Sequence, residues 1–267
     1  MKRLSVALAT HNEEKNIKKC LDSLKDFADE IIIVDGESTD KTVEIAEGLG
    51  ARIISKPNQK NFHINKQIAI EACRGDWILQ LDADEVVSSP LKNEIQEVIN
   101  AKNPANEKRL TTNDQINGYW VPRKNWFLGR FLKKGGQYPD YTLRFYKKGK
   151  GKLPQKDVHE QAVVEGEVGY FKEALLHYPY KDFSAYLHKW NRYNLFASDL
   201  IAHELKNKSF AIHTGAFFMY MLIRPIWWFI WTYGRHKGFM DMWPGFVFSL
   251  FSSLRFPVSY IIFLRKA

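Results

Sequence analysis

Three carboxylates fall within four residues in LQLDADEVVSSP, where Asp82, Asp84 and Glu85 follow the apolar run Trp77–Leu81. Hard oxygen donors at this spacing suit Mg²⁺ or Mn²⁺, which take one or two carboxylates and fill the rest of their shell from substrate phosphates and water. The same acids also suit the hydroxyls of a ribose. The plain structural alternative is that they lead into the next helix, whose N-terminus favours negative charge. Two more polar groups follow apolar runs in the same way: Thr10-His11-Asn12-Glu13 after Leu4–Ala9, and Asp35-Gly36-Glu37 after Glu30–Val34.

The elements around these groups set where they lie. Leu4–Ala9 and the β-branched run Glu30–Val34 read as strands covered on both faces, with Ala51–Ser55 and Trp77–Leu81 as two further strands. Between them Ile17, Cys20, Leu21, Leu24 and Phe27 repeat at helical spacing. Ser38-Thr39-Asp40 opens a second helix, and Ile64, Ile68, Ala69 and Ala72 mark a third. This β-α-β-α-β-α-β order predicts an α/β fold on a mostly parallel sheet with flanking helices. Ligands of such sheets bind beyond the carboxyl ends of the strands, which is where all three polar groups fall. No G-x-G-x-x-G follows the first strand and no G-x-x-x-x-G-K-[ST] occurs, which excludes a dinucleotide fold and a P-loop.

The runs ATHNEEKNI, IIIVDGESTDKT and GDWILQLDADE, in that order, resemble the nucleotide-binding half of family 2 glycosyltransferases, which have the GT-A fold. YPDYTLRFYKKGKG, VHE and the aromatic tail further resemble the subgroup that includes bacterial lipopolysaccharide-core β-glucosyltransferases. The resemblance implies an inverting transfer of a sugar, with UDP-hexose the expected donor, to a hydroxyl of a lipid-linked saccharide. It makes Asp84 the acid that holds a divalent cation, and Asp82 the acid beside the ribose or reaching the cation through water. Asp35 becomes an acid that recognises the base, with Thr10 and Glu13 on the loop around the nucleoside. Many relatives have a second acid where this chain has Gly36. Lys66, on the third helix, would meet a phosphate or form part of a solvated face. Glu160, in VHE, is the expected general base, and Asp140 is the second candidate. The alternative for Asp140 is an ion pair with Arg144 or a nearby lysine. His159 and His177 are candidates for contact with the acceptor or the metal, and Arg144 is a candidate on the acceptor side.

Charge and hydropathy bear on the partners. The 267-residue chain carries a formal charge of +9, concentrated in two zones. Residues 119–156 hold eleven Lys/Arg against the single acid Asp140, and residues 209–267 hold six against Asp241. A nucleic-acid binder would explain the first zone, where basic and aromatic residues interleave, but not the acid cluster or the tail. A membrane scaffold would explain only the tail. A polyprenyl-phosphate sugar transferase is the nearest enzymatic alternative. The tail has one formal charge in 209–234, Arg224, and one in 242–264, Arg255, amid dense Trp, Phe and Tyr. An arginine is costly at a bilayer centre and aromatic belts favour the headgroup level, so two in-plane amphipathic helices on an anionic membrane surface are expected rather than a transmembrane hairpin. The apolar run at the N-terminus is about six residues, short for a signal peptide. The expected location is the cytoplasmic face of the inner membrane. The expected divisions are a donor half at 1–100, an acceptor half at 101–208 and membrane-associating helices at 209–267.

Overall fold

The computed structural model describes residues 3–59, 61–100, 116–154 and 161–266. Strands β1 (Leu4–Thr10), β2 (Glu30–Asp35), β3 (Arg52–Ser55) and β4 (Trp77–Gln80) lie parallel in the order β3-β2-β1-β4. Their side chains alternate between two cores. Trp77, Leu79 and Leu81 join one cluster with Leu4, Val6 and Leu8, while Ile78 joins another with Ala7, Ile32 and Val34. That is the period of two expected of a sheet covered on both faces.

Helices α1 (Ile17–Asp22), α2 (Thr42–Gly48) and α3 (His63–Ala72) connect these strands. The periodicity through Phe27 predicts a longer α1. Instead the Ser23 hydroxyl donates to the Cys20 carbonyl at 2.6 Å, and Asp26 turns the chain at φ 58°. A serine bonding back to the backbone competes with the helix ladder, and Leu24 and Phe27 reach the core from turns. Helix α2 starts at Thr42 rather than at Ser38–Asp40, because those residues are bound into the loop that follows β1. Thr39 N–H donates to Asn12 Oδ1 at 2.8 Å, and Asn12 N–H donates to Ser38 Oγ at 2.9 Å.

Beyond β4 the sheet turns antiparallel. It adds β5 (Glu85–Val87), β6 (Ile116–Phe127), β8 (Asp140–Lys147) and β12 (Leu175–His177) to give the order β3-β2-β1-β4-β8-β6-β12-β5, while β11 (Glu167–Tyr170) pairs with β6 in parallel. Helix α4 (Ser89–Asn100) follows β5, and the short strands β9 (Gly151–Lys152) and β10 (Val163–Val164) pair separately. The ring of Trp77 stacks on Phe145 at 4.6 Å and that of Tyr119 on Phe171 at 4.5 Å, which fixes β8 and β6 over the first core. The sheet is therefore mixed, parallel through its first four strands.

The chain forms two compact units, Met1–Arg123 with Asp140–His177, and Lys124–Pro139 with Tyr178–Ala267. This differs from the divisions expected at residues 100 and 208. One sheet takes in both expected halves of the first 177 residues. The second unit combines the end of β6 and β7 (Arg130–Phe131) with α5 (Phe183–Leu205), α6 (Phe210–Phe218), α7 (Arg224–Phe229) and α8 (Met242–Lys266). π-helical turns at Met219–Ile223 and Ile230–Arg235 follow α6 and α7. Phe127, Leu132, Tyr186 and Val247 make its core, and the buried Asp241 carboxylate accepts the N–H groups of Lys133 and Lys134 at 2.9 and 2.7 Å. By length and composition Gly238–Lys266 is apolar enough to cross a membrane.

Candidate active site

Thr10 and Asp35 end β1 and β2 in register, so parallel pairing brings them side by side. Thr10 Oγ1 donates to Asp35 Oδ1 at 3.1 Å, and Ser38 donates its hydroxyl to the same oxygen at 2.6 Å and its N–H to Oδ2 at 2.8 Å. Asp35 is thus buried and oriented. Beside it, a Cβ on Gly36 would meet Asn58 at 3.3 Å, so the acid that many relatives place there has little room here. Glu13 lies on the same edge, ahead of α1 rather than in its first turn, and accepts from the Asn16 amide at 2.8 Å. Burial pushes its carboxyl above the usual range against that hydrogen bond, and the negative charges of Asp84, Asp82 and Asp40 add to the rise.

The acids after β4 form a tight turn. Glu85 N–H donates to the Asp82 carbonyl at 3.0 Å, and Asp82 N–H donates to Glu85 Oε2 at 2.9 Å. The turn sends its carboxylates to different partners. Asp82 places Oδ1 on Lys66 Nζ and Oδ2 on Arg144 Nη2. Glu85 is fully buried and receives Arg144 and Arg123, each at 3.2 Å. Arg123 then continues to Asp140 at 2.8 Å. The result is an unbroken series of alternating charge, Lys66–Asp82–Arg144–Glu85–Arg123–Asp140. Asp84 stands apart from it and faces His177 Nε2 at 3.3 Å.

The electrostatics follow from this arrangement. Burial alone would raise the Asp82 carboxyl, but Arg144 and then Lys66 outweigh it and hold the group well below the usual range. Burial would likewise lower Arg144, and Asp82 and Glu85 reverse that. For Lys66, burial wins over the attraction of Asp82 and the ammonium lies below its ordinary value.

Several expectations are corrected here. Lys66 is buried against Asp82 rather than on a solvated face. Of the two readings of Glu85, an acid supporting the site from behind and a solvated acid at a helix start, its burial as an internal counter-ion removes the second. Arg144, expected toward the acceptor, is committed to Asp82 and Glu85, and Asp140 pairs with Arg123 instead of Arg144. Glu160 and His159 lie outside the described residues. Arg123 was not singled out in the sequence. Its signal was available as a basic residue directly after the apolar and aromatic run Tyr119–Pro122, with acids on the neighbouring elements.

The residues present fit a divalent cation at Asp84. Antiparallel pairing of β12 with β5 sets His177 opposite Glu85, so one oxygen and one nitrogen donor meet at the turn. Two protein donors leave most of a six-coordinate shell to phosphate and water. Asp82 does not fit as a direct ligand, since both its oxygens are engaged. No group of three or more His, Cys, Asp or Glu side chains suited to a metal occurs among the described residues. A cavity of about 240 Å³ adjoins the charge series, lined by Lys66, Gln80, Asp82, Arg123, Arg144 and Gln161.

A mixed α/β sheet that gathers acids at the ends of its parallel strands is the architecture of GT-A glycosyltransferases. The chain belongs to glycosyl transferase family 2, whose family model matches residues 5–175, and it is a glycosyltransferase. It is 31% identical to an uncharacterized glycosyltransferase of Rickettsia bellii, over 96% of this chain and 84% of that one. It is 29% identical to the lipopolysaccharide core biosynthesis glycosyltransferase LpsC of Rhizobium meliloti, over 94% of this chain and 91% of that one. Among solved structures, S. aureus TarS 1–349 in complex with UDP superposes over 90% of this chain and 75% of that one, with 17% identity and a TM-score of 0.49.

Proposed function

We propose that the enzyme transfers a hexose from a UDP-sugar to a hydroxyl of a lipid-linked saccharide of the lipopolysaccharide-core type, with inversion, at the cytoplasmic face of the inner membrane. The observation that carries this reading is the division of labour in the Asp82–Glu85 turn, where two acids are neutralised internally and Asp84 is left facing His177. Asp84 and His177 would hold Mg²⁺ or Mn²⁺, which supplies Lewis acidity at the departing diphosphate. Asp35, with Thr10 behind it, offers an oriented carboxylate to the base. Lys66 and Arg144 keep positive charge beside the ribose and phosphates. In the transfer the acceptor oxygen bonds to the anomeric carbon as the bond to the diphosphate breaks, and the acceptor proton passes to a carboxylate. The relation to LpsC, with the basic and aromatic tail, supports a lipid-linked acceptor.

The test is a panel of nucleotide sugars with and without Mn²⁺, scored by thermal protection and then by transfer. A UDP-hexose should protect in a metal-dependent way. Asp84→Asn should lower metal-dependent transfer by about a hundredfold or more with the melting temperature little changed. Full transfer by that variant overturns the assignment.

A second reading, transfer to a polyprenyl phosphate, is favoured by one feature. Asp140, the base candidate among the described residues, is held by Arg123. A phosphate acceptor arrives already ionised and needs little help from a base. The readings part at Glu160→Gln, which should cost two to four orders of magnitude, as a rough range, if a hydroxyl is the acceptor. Should neither Glu160→Gln nor Asp140→Asn slow transfer, the phosphate acceptor is the better account.

A further inference from the structure

Gln80 is the one amide in the otherwise apolar run Trp77–Leu81. It ends β4 on the face that carries Ile78, which packs with Ala69 and Ile70 of α3. Its register partner on β1 is Ala7, which brings only a methyl group to that face. The Gln80 side chain is 2% exposed and makes no hydrogen bond among the described residues. It is not sealed in the core either, for it lines the cavity of about 240 Å³ beside Asp82. Buried amides in proteins are nearly always hydrogen-bonded, and a carbonyl and two N–H donors left open at the end of a buried strand cost stability. A side chain kept at that cost has its partner in what fills the cavity.

The other walls say what that is. Lys66 and Arg144 reach the cavity already paired with Asp82, and Arg123 reaches it paired with Glu85 and Asp140. Three cations thus meet three carboxylates, and no surplus positive charge is left in the cavity to hold a phosphate. Gln161 gives its Oε1 to the Leu143 N–H at 3.3 Å, so its NH₂ is the part that remains for a ligand. Phe62, Leu153 and Ala162 add apolar wall. A phosphate only accepts hydrogen bonds, and it would be repelled by the Asp82 carboxylate and the Gln80 carbonyl. A hexose donates and accepts through its hydroxyls and offers C–H surface to apolar walls, which matches this mixture of groups.

Position in the turn says which hexose. Asp84, assigned to the cation and diphosphate, stands two residues beyond Asp82, and Asp82 lines the cavity. The sugar of a sugar nucleotide is joined directly to its diphosphate. We propose that the cavity takes the hexose of the donor and that Gln80 is a specificity-determining residue, hydrogen-bonded to one hexose hydroxyl. This rests on the sugar-nucleotide reading of the enzyme given above.

The test uses the full chain in Mn²⁺ and measures binding of UDP, UDP-glucose and UDP-galactose by calorimetry, with the melting temperature of the free protein alongside. Gln80→Met keeps the length of the side chain and removes its polar atoms. It should weaken the preferred UDP-hexose about tenfold and leave UDP unchanged. Its melting temperature should be unchanged or raised, since no internal hydrogen bond is lost, whereas a structural amide would lower it. Monodeoxy forms of the preferred hexose then find the hydroxyl. One form should bind the wild type about tenfold more weakly than its parent, and bind Gln80→Met no more weakly than the parent does. Equal loss for UDP and UDP-hexose puts the contact on the nucleotide and overturns the assignment, as does no loss for either. Should Gln80→Met fail to fold, Gln80→Asn carries the same test, because shortening by one methylene withdraws the amide: a response to every deoxy form identical to that of wild type overturns the role of Gln80. Binding of UDP but of neither UDP-hexose overturns this inference and leaves the nucleotide site standing, whereas no binding of any of the three overturns the donor reading as well.

Discussion

A carboxylate held between an ammonium and a guanidinium has its energetics fixed by those neighbours, and Asp82 is in that position. Removing its charge leaves Lys66 and Arg144 buried with less compensation, which typically costs about 3 kcal/mol or more. Asp82→Asn should therefore lower the urea-derived stability at neutral pH by about that amount. The sign of the pH dependence follows from the depressed carboxyl. The contribution is present above the value the group has when unfolded and is lost as pH falls through its folded value. The gap between wild type and Asp82→Asn should hold from neutrality down to about pH 4 and shrink below it. A gap that instead widens as pH falls would show that Asp82 does not gain from its cations. Asp84 should behave differently, with its loss read in metal-dependent transfer and not in stability. Position along the chain separates these two acids by one residue, but the direction each side chain takes from the turn separates their roles. The sequence could mark both as functional and could not divide the work between them, because the partners Arg144 and His177 arrive from strands 62 and 93 residues away.

The parallel strands were legible because Ile31–Val34 and Trp77–Leu79 are apolar runs, the mark of a strand covered on both faces. The antiparallel half was not. In β6 and β8 the residues Arg123 and Arg144 helped give 119–156 the look of a basic surface, whereas both turn toward acids near them in the fold. Helix α1 was read too long for a similar reason, since periodicity registers which side chains are buried and not how the backbone brings them there. Ser23 makes that difference. Its hydroxyl donates to the Cys20 carbonyl and accepts from the Val87 N–H at 3.1 Å, tying the end of α1 to β5. Ser23→Ala leaves the Val87 N–H unpaired and should reduce stability by about 1–2 kcal/mol in urea unfolding, whatever helix propensity alanine adds. An unchanged midpoint would show that the tie contributes nothing.

For the whole molecule, the division into two units changes how membrane association is best tested. A cut at residue 208 removes Val247 and Phe251, which pack with Phe127 and Tyr186, and so would unfold the second unit along with detaching it. Substitutions on its surface avoid that confusion. Phe210, Trp227 and Trp243 are all more than half exposed, at 87%, 53% and 66%. The triple change to serine should reduce vesicle binding by about tenfold or more while leaving the melting temperature nearly unchanged, and high salt should weaken the wild type only in part. Undiminished binding by the triple variant would place membrane contact elsewhere.

The discontinuity of the second unit also orders events in time. Lys124–Pro139 leaves the ribosome early, yet Phe127 and Leu132 find their partner Val247 only after more than 110 further residues have been added. At common rates of synthesis that is an interval of roughly 6–20 seconds. Throughout it, the end of β6 and the segment after it present aromatic and apolar side chains whose core is incomplete, since Tyr180 and Tyr186 arrive partway through and Val247 only at the end. The first unit needs nothing beyond His177 and is free to close during the same interval. Birth of this enzyme thus includes a stage at which one unit can be finished while the aromatic arm that it carries is still open to chaperones, or to another copy of itself.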